Sequence, residues 1–168
     1  GDDVLIALGG PHPTLAPWDT LRECPQIDVV VIGEGERTVF ELSQAINNFE
    51  RIRGIAYKAE GQIKINPPMP RINNLDQLPF PALEHLPMER YISYEDPYLP
   101  GLWKRAYLSV SRGCKYKCSF CTENPLWGGN ATFRSAENVM REIQQYRQEY
   151  GINRFYFYDD TFTDWPDY

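Results

Sequence analysis

Ser109-Val110-Ser111-Arg112-Gly113-Cys114-Lys115-Tyr116-Lys117-Cys118-Ser119-Phe120-Cys121 is the stretch from which the rest of the chain is read. It sets three cysteines at C-x3-C-x2-C spacing just behind an apolar alternating run, Ala106 to Val110, that predicts a β-strand. Thiolates that close together on one loop can converge on a single metal centre. Three ligands are one short of the four that a structural zinc site or an ordinary all-cysteine iron–sulfur cluster requires. A cubane held by three thiolates leaves one iron open to bind something else. The competing reading is a zinc knob completed by Cys24 or a histidine, but His12 and His85 lie well upstream of the triplet.

Bulk properties narrow the field. The 168 residues carry a net charge of −6 and a pI near 5.0, which argues against a surface that binds nucleic acid by phosphate neutralisation. No apolar run reaches membrane-spanning length, and the opening Gly1-Asp2-Asp3 has no positive region of a signal peptide. Four cysteines, three of them clustered, fit a reducing cytoplasm better than a disulfide framework. Cys24, in Arg22-Glu23-Cys24-Pro25, reads as a small apolar residue. The chain starts without methionine, just before an apolar run, and stops at Trp165-Pro166-Asp167-Tyr168. We expect an internal piece of a longer protein, inactive and poorly stable alone.

Upstream of the loop, Val4 to Leu8 is a continuous apolar run, expected as a strand buried on both faces of a parallel sheet. Gly9-Gly10-Pro11-His12-Pro13-Thr14 follows at its carboxyl end, and a short helix fits Trp18 to Arg22. Asp28 to Ile32 predicts a second buried strand, closed by Gly33-Glu34-Gly35-Glu36. A helix is expected over 36–50, with Val39, Leu42, Ile46 and Phe49 on one face. That order is doubly wound α/β. A dinucleotide loop is excluded, because Glu34 and Glu36 repel phosphate and position 38 is Thr. Residues 54–58 and 62–66 alternate around Ala59-Glu60-Gly61 and predict a β-hairpin. Dense proline from Pro67 to Pro81 predicts an extended linker, and Tyr91 to Lys104 an irregular aromatic stretch.

Downstream, Ser135 is a candidate N-cap for a helix reaching Tyr150, with Ala136, Val139, Met140, Ile143, Tyr146 and Tyr150 on one stripe and Gly151 as its stop. Arg154 to Tyr158 predicts the next strand, and Asp159-Asp160-Thr161 its carboxyl end. Strand, helix, strand is one unit of a parallel barrel, whose sites form at the carboxyl ends of strands. The cysteine loop and Asp159-Asp160 are therefore expected to face one cavity.

The cysteine spacing, with an aromatic before the last cysteine, resembles the signature of the radical S-adenosylmethionine (radical SAM) enzymes. The resemblance implies that Cys114, Cys118 and Cys121 hold a 4Fe-4S cluster whose open iron is chelated by S-adenosyl-L-methionine, with Phe120 near the adenine. It further implies that Asp159 or Asp160 receives the cofactor's amino group; one of the two would cap the following turn, and Thr161 is the weaker candidate. Gly113 is expected to let the loop turn tightly, and Arg112, Lys115 and Lys117 make it basic. Arg134 neutralises a carboxylate near the cofactor or serves as a surface or capping residue. "Leu-Gly-Gly-Pro-His-Pro-Thr" and "Val-Val-Ile-Gly-Glu-Gly-Glu-Arg-Thr" resemble the C-terminal half of the cobalamin-binding domain found ahead of many such barrels. In it Gly9 and Gly10 would border the pocket for the cobalamin tail. The Asp-x-His-x-x-Gly that can supply cobalt's lower ligand there would precede Gly1, so His12 is not equated with it.

The expected architecture is α/β. The C-terminal part of a flavodoxin-like (Rossmann-type) cobalamin-binding domain spans 1–66, a proline-rich linker 67–103, and the start of a radical SAM partial TIM barrel 104–168. The implied activity is reductive cleavage of S-adenosylmethionine to a 5′-deoxyadenosyl radical, for cobalamin-dependent methyl transfer or related C–H functionalisation. The implied partners are a flavodoxin or ferredoxin electron donor and a small-molecule or lipid-like substrate, with no nucleic acid and a cytoplasmic setting. Rival readings are a radical SAM methylthiotransferase, or a non-catalytic zinc or iron–sulfur module.

Overall fold

The computed structural model describes residues 4–45, 48–95 and 102–164, and it divides into two units, 1–72 with 118–128, and 73–117 with 129–168. In the first unit, β1 (Ala7–Leu8) leads through α1 (Pro11–Leu15) and α2 (Pro17–Glu23) to β2 (Val29–Val31). The strands pair in parallel, Ala7 against Val29 and Leu8 against Val30. After α3 (Gly35–Gln44), β3 (Ile55–Ala59) and β4 (Gln62–Ile65) form the expected hairpin. It extends the sheet, because β3 runs antiparallel to β2, with Val30 opposite Ala56. The order is β1-β2-β3-β4: β1 and β2 keep the parallel pairing expected of them, and the hairpin adds the antiparallel strands.

Two apolar clusters hold this sheet. Val29, Leu42, Ile52, Ile55 and Tyr57 pack on one side, and Leu21, Ile27, Val30 and Ala56 on the other. Burying each large aliphatic chain contributes about 1.5–3 kcal/mol. β2 is the buried central strand that its sequence predicts. β1 is not: Val4 is 70% exposed, Ile6 46% and Leu8 39%. Its run is apolar enough for burial on both faces, but among the described residues only β2 lies beside β1. The helix expected to reach residue 50 ends at Gln44, and Val39 on its expected apolar face is exposed. Ile46 lies outside the described residues, and Phe49 falls in a following 3-10 turn.

Gly54 joins this sheet to the proline-rich stretch. Its φ of +69° demands glycine, its amide donates to Pro67 O at 2.8 Å, and an added Cβ would lie 3.0 Å from that of Met69. Residues 67–72 therefore run against the first unit rather than free of it.

In the second unit, α4 (Glu89–Ile92) precedes β5 (Ser93–Glu95), β6 (Leu102–Leu108) and β7 (Ser111–Arg112). Of the aromatic stretch 91–104, residues 96–101 lie outside the described residues. The chain then passes to the first unit for α5 (Glu123–Trp127) and returns with β8 (Thr132–Phe133), α6 (Ala136–Tyr150) and β9 (Arg154–Phe157). β6 and β9 pair in parallel, Ala106 against Phe155 and Leu108 against Phe157, while β5 pairs antiparallel on the other edge of β6. The β6-α6-β9 unit is the strand–helix–strand that the sequence predicts; Trp165 to Tyr168 lie outside the described residues.

α6 follows its sequence signals at both ends. Ser135 accepts the amide of Asn138 as N-cap, and Gly151 closes the helix at φ 65°. Its buried side packs Tyr146 with Leu108 and Ile152, with Ile143, Tyr150, Ala106 and Phe155 around them. Ala136 and Met140, expected on the apolar stripe, are exposed, and polar Asn138 and Glu142 are buried instead.

Candidate functional site

The cysteine loop begins where β6 ends. Leu108 and Val110 are buried, and the backbone between them is tied from two sides. From just beyond β9, the Asp159 carboxylate accepts the amide of Val110 at 3.0 Å, the amide of Ser111 at 2.6 Å and the Ser111 hydroxyl at 2.6 Å. From the start of α6, Arg134 donates its backbone amide to Val110 O at 2.8 Å and Nη1 to Ser109 O at 3.1 Å. β7 and β8 pair just beyond, Ser111 opposite Phe133 and Arg112 opposite Thr132. Gly113 then turns the chain at φ 86°, as expected, and the next residue, Cys114, is buried.

Asp159 and Asp160 thus divide their work. Asp159 secures the base of the cysteine loop by hydrogen bonds that charge strengthens. Asp160 is exposed and Thr161 half-buried. That an aspartate here serves structure was expected; that it holds the cysteine loop rather than the turn after it was not.

Arg134 is neither a surface residue nor simply a cap. Its guanidinium pairs with Glu142 at 2.5 Å and donates Nε to Asn138 Oδ1 at 2.7 Å, while Tyr146 donates its hydroxyl to Glu142 Oε1 at 2.6 Å. Arg134 and Glu142 side chains are 12% and 4% exposed, so this is a buried ion pair, with Asn138 hydrogen-bonded to one member and Tyr146 to the other. Burial, then the hydrogen bond to Glu142 and its charge, raises the Tyr146 pKa far above the ordinary tyrosine range. Sequence reasoning did not find Asn138 and Glu142 as partners. Residues 134, 138, 142 and 146 fall at successive four-residue steps, and that polar stripe was the available signal.

Asp76 adds a second anchor on α6. It accepts the Ser135 amide at 2.9 Å. Burial pushes its carboxyl up, but the Ser135 hydrogen bonds with Arg134 and Arg141 outweigh it and hold the pKa below the usual value.

The donor chemistry suits an iron–sulfur centre with three protein ligands. Cys114, Cys118 and Cys121 are free thiols, and a turn closed by the Cys121 amide on Cys118 O at 3.1 Å separates the last two. Cys118 is exposed, Cys121 half-buried, and Phe120 is 90% exposed. Among the described residues no group of three or more His, Cys, Asp or Glu is gathered closely enough to hold a metal ion. Lys115 and Lys117 are exposed, with the Lys115 ammonium 5.2 Å from the Tyr116 ring centre. Cys24 is a surface residue, not a packed apolar one; its carbonyl accepts from Lys58 at 3.2 Å. His12 and His85 are exposed.

At the other candidate site, Gly9 and Gly10 differ. Gly10 has φ 114°, which only glycine adopts readily, and among the described residues, chain neighbours aside, nothing lies within 4 Å of where its Cβ would be. At Gly9 a Cβ would make an ordinary 3.6 Å contact with Val31. Gly33, at the end of β2, donates its amide to Thr14 Oγ1 at 3.0 Å, joining that strand end to α1.

Comparison with known proteins places both halves. Residues 108–168 match the radical SAM superfamily and residues 1–43 the B12 binding domain. The chain is 39% identical to an uncharacterized methyltransferase, PH0819, of Pyrococcus horikoshii, over 96% of this chain and 34% of that protein. It is 32% identical to cytidylyl-2-hydroxyethylphosphonate methyltransferase of Streptomyces wedmorensis, over 96% of this chain and 35% of that protein. It is 31% identical to the anaerobic magnesium-protoporphyrin IX monomethyl ester cyclase of Rubrivivax gelatinosus, over 96% of this chain and 29% of that protein. The chain thus spans about a third of the length of these relatives. Among solved structures, the cobalamin-dependent S-adenosylmethionine radical enzyme OxsB with aqua-cobalamin and S-adenosylmethionine bound superposes with TM-score 0.70 at 22% identity, over 93% of this chain and 21% of that one. The radical S-adenosylmethionine methyltransferase TsrM from Kitasatospora setae, with cobalamin and [4Fe-4S] cluster bound, gives 0.65 at 19% identity, over 94% and 31%. At these identities the structural likeness is one of fold.

Proposed function

Because the chain belongs to the radical SAM superfamily, in the branch that carries a B12-binding domain, we propose that it forms the cluster-bearing start of a cobalamin-dependent radical SAM enzyme that transfers methyl groups or functionalises C–H bonds. The observation that supports this most is the Asp159 lock. It fixes the origin of the cysteine loop at the carboxyl ends of two parallel strands, β6 and β9, where barrel enzymes assemble their sites.

In this proposal Cys114, Cys118 and Cys121 hold the 4Fe-4S cluster as thiolates, which must be deprotonated to bind it. When bound, the cluster and S-adenosyl-L-methionine supply a 5′-deoxyadenosyl radical by reductive cleavage, and cobalamin supplies a methyl carrier. Asp160, exposed beside the engaged Asp159, receives the cofactor's ammonium group through a charge-assisted hydrogen bond. Phe120, whose ring has little protein around it, lies along the adenine. Gly10 and Gly9 border the cobalamin tail at the end of β1. A flavodoxin or ferredoxin gives the electron, the substrate is a small or lipid-like molecule, and the setting is cytoplasmic. No described helix is long and apolar enough to cross a membrane. The match to magnesium-protoporphyrin cyclases favours ring closure as a second outcome of the same radical chemistry.

The test is anaerobic reconstitution of the intact protein with iron and sulfide, followed by assay of reductive S-adenosylmethionine cleavage. About four irons per chain and iron–sulfur absorption are expected. Cys118→Ala should abolish cleavage while the first unit keeps its fold. Retained cleavage overturns the ligand assignment, and one zinc per chain without cluster absorption overturns the cluster itself.

A further inference from the structure

Arg71 stands in Pro67-Pro68-Met69-Pro70-Arg71-Ile72, a run whose composition predicts only a stiff connector. In the structure that run is anchored on both sides of Arg71. Arg53 Nε donates to Pro68 O at 3.0 Å, and the Ile72 amide donates to Glu34 Oε2 at 2.7 Å, with the Ile72 side chain buried. Between these anchors the Arg71 guanidinium reaches far along the sequence. Its Nη1 donates to Trp127 O at 2.9 Å, and its Cζ lies 5.4 Å from the Trp127 ring centre.

Trp127 ends α5, and the last carbonyls of a helix have no partner within it. A guanidinium suits such a carbonyl and at the same time packs on an indole face. α5 starts two residues after Cys121, and Cys121 is itself turned onto Cys118. α1, the helix that follows Gly10, also packs against α5. Neither apolar cluster of the first unit includes a residue of 118–128. The segment that carries two of the three cysteines is therefore held to this unit by specific contacts rather than by a core.

We propose that Arg71 is a positioning residue, which through Trp127 holds segment 118–128, and with it Cys118 and Cys121, against the cobalamin-side unit. Its bearing on the cysteines rests on the cluster reading given above; the clamp itself does not. Glu34, in the Gly33-Glu34-Gly35 loop at the end of β2, fixes the neighbouring Ile72. The loop beside the candidate cobalamin site and the cysteine segment are thus joined through one short stretch of main chain.

Hydrogen–deuterium exchange on the intact protein, together with iron retained after anaerobic reconstitution and desalting, tests this. Arg71→Ala should speed amide exchange in 118–128 about tenfold, with residues 55–65 unchanged. It should also lower iron affinity about tenfold, as loss of a group that orients metal ligands does. Arg71→Lys, which keeps one donor but not the planar fork, should recover part of both. Unchanged exchange in 118–128 overturns the clamp. Faster exchange there with iron affinity unchanged overturns the positioning role. Faster exchange that extends through 29–31 and 55–65 makes Arg71 a residue of general stability and overturns it as well. A wild-type protein that takes up no iron strikes the cluster reading alone, since the clamp is still read from exchange in 118–128.

Discussion

Asp159 Oδ1 lies 2.6 Å from both the amide nitrogen and the hydroxyl of Ser111, a residue only 6% exposed. One carboxylate just beyond β9 thereby satisfies the buried polar groups that β6 leaves open where its ladder stops, and the cysteine loop starts from that fixed point. Asp159→Ala strands those donors and should cost about 2–4 kcal/mol of stability, with Asp159→Asn retaining one acceptor and costing about 1 kcal/mol. Chemical denaturation of the intact protein measures both. Equal stability of Ala and wild type would show that the lock contributes nothing.

Asp160 gives the opposite expectation. Its side chain is exposed, so Asp160→Asn should change stability by less than about 0.5 kcal/mol. Loss of a charge-assisted partner should weaken S-adenosylmethionine binding about tenfold or more. Calorimetric titration of the reconstituted protein reads the affinity, and an unchanged Kd removes Asp160 from the site.

The Arg134–Glu142 pair should behave as a buried unit. Arg134→Ala alone leaves the Glu142 charge in the interior and should cost about 3–5 kcal/mol. Replacing both by methionine removes the stranded charge, so the double variant should be more stable than the sum of the single changes by about 1–3 kcal/mol. A double-mutant cycle that closes without coupling would contradict the pairing of these groups in solution.

These expectations also mark what the sequence could reveal. α6 was legible at both ends because Ser135 and Gly151 act locally: a side-chain oxygen for an amide, and a left-handed stop. β2 and the hairpin were legible for the same kind of reason. β1 was not, since the apolarity of Val4 to Leu8 shows what the run would tolerate and not what lies beside it. The buried polar stripe on α6 was hidden by its composition. Arg134, Asn138 and Glu142, four residues apart, look like a solvated face until their contacts with one another, with Ser109 O and with Tyr146 show them turned inward. Arg71 escaped notice because its partner lies 56 residues away, beyond any periodicity.

Tyr146 carries a pH dependence. Burial, and then its hydrogen bond to the Glu142 carboxylate, favours the neutral phenol and raises its pKa in the folded state above the ordinary tyrosine value. The folded protein then binds this proton more tightly than the unfolded chain. The associated stability is fully present below the ordinary tyrosine range and is lost as pH rises above it. Denaturation midpoints should begin to fall above about pH 10 and go on falling as the pH rises further, and Tyr146→Phe should flatten that fall. If the Phe variant declines as steeply as wild type, the alkaline loss arises elsewhere.

Gly9 and Gly10 look alike in the sequence and are separated by their geometry. At Gly10, φ 114° lies where an alanine is strained, so Gly10→Ala should cost about 1–3 kcal/mol. At Gly9 the new methyl would meet Val31 at an ordinary 3.6 Å, and Gly9→Ala should stay within about 0.5 kcal/mol of wild type. The space around Gly10 adds a second, separable effect. Among the described residues, chain neighbours aside, nothing lies within 4 Å of the added carbon, so a cobalamin tail lying against this turn would be what the methyl meets. Aqua-cobalamin titrated into the intact protein should bind Gly10→Ala about tenfold more weakly at a temperature where that variant is fully folded. A variant that is destabilised yet binds cobalamin as wild type does would keep the strain argument and remove Gly10 from the cofactor's edge.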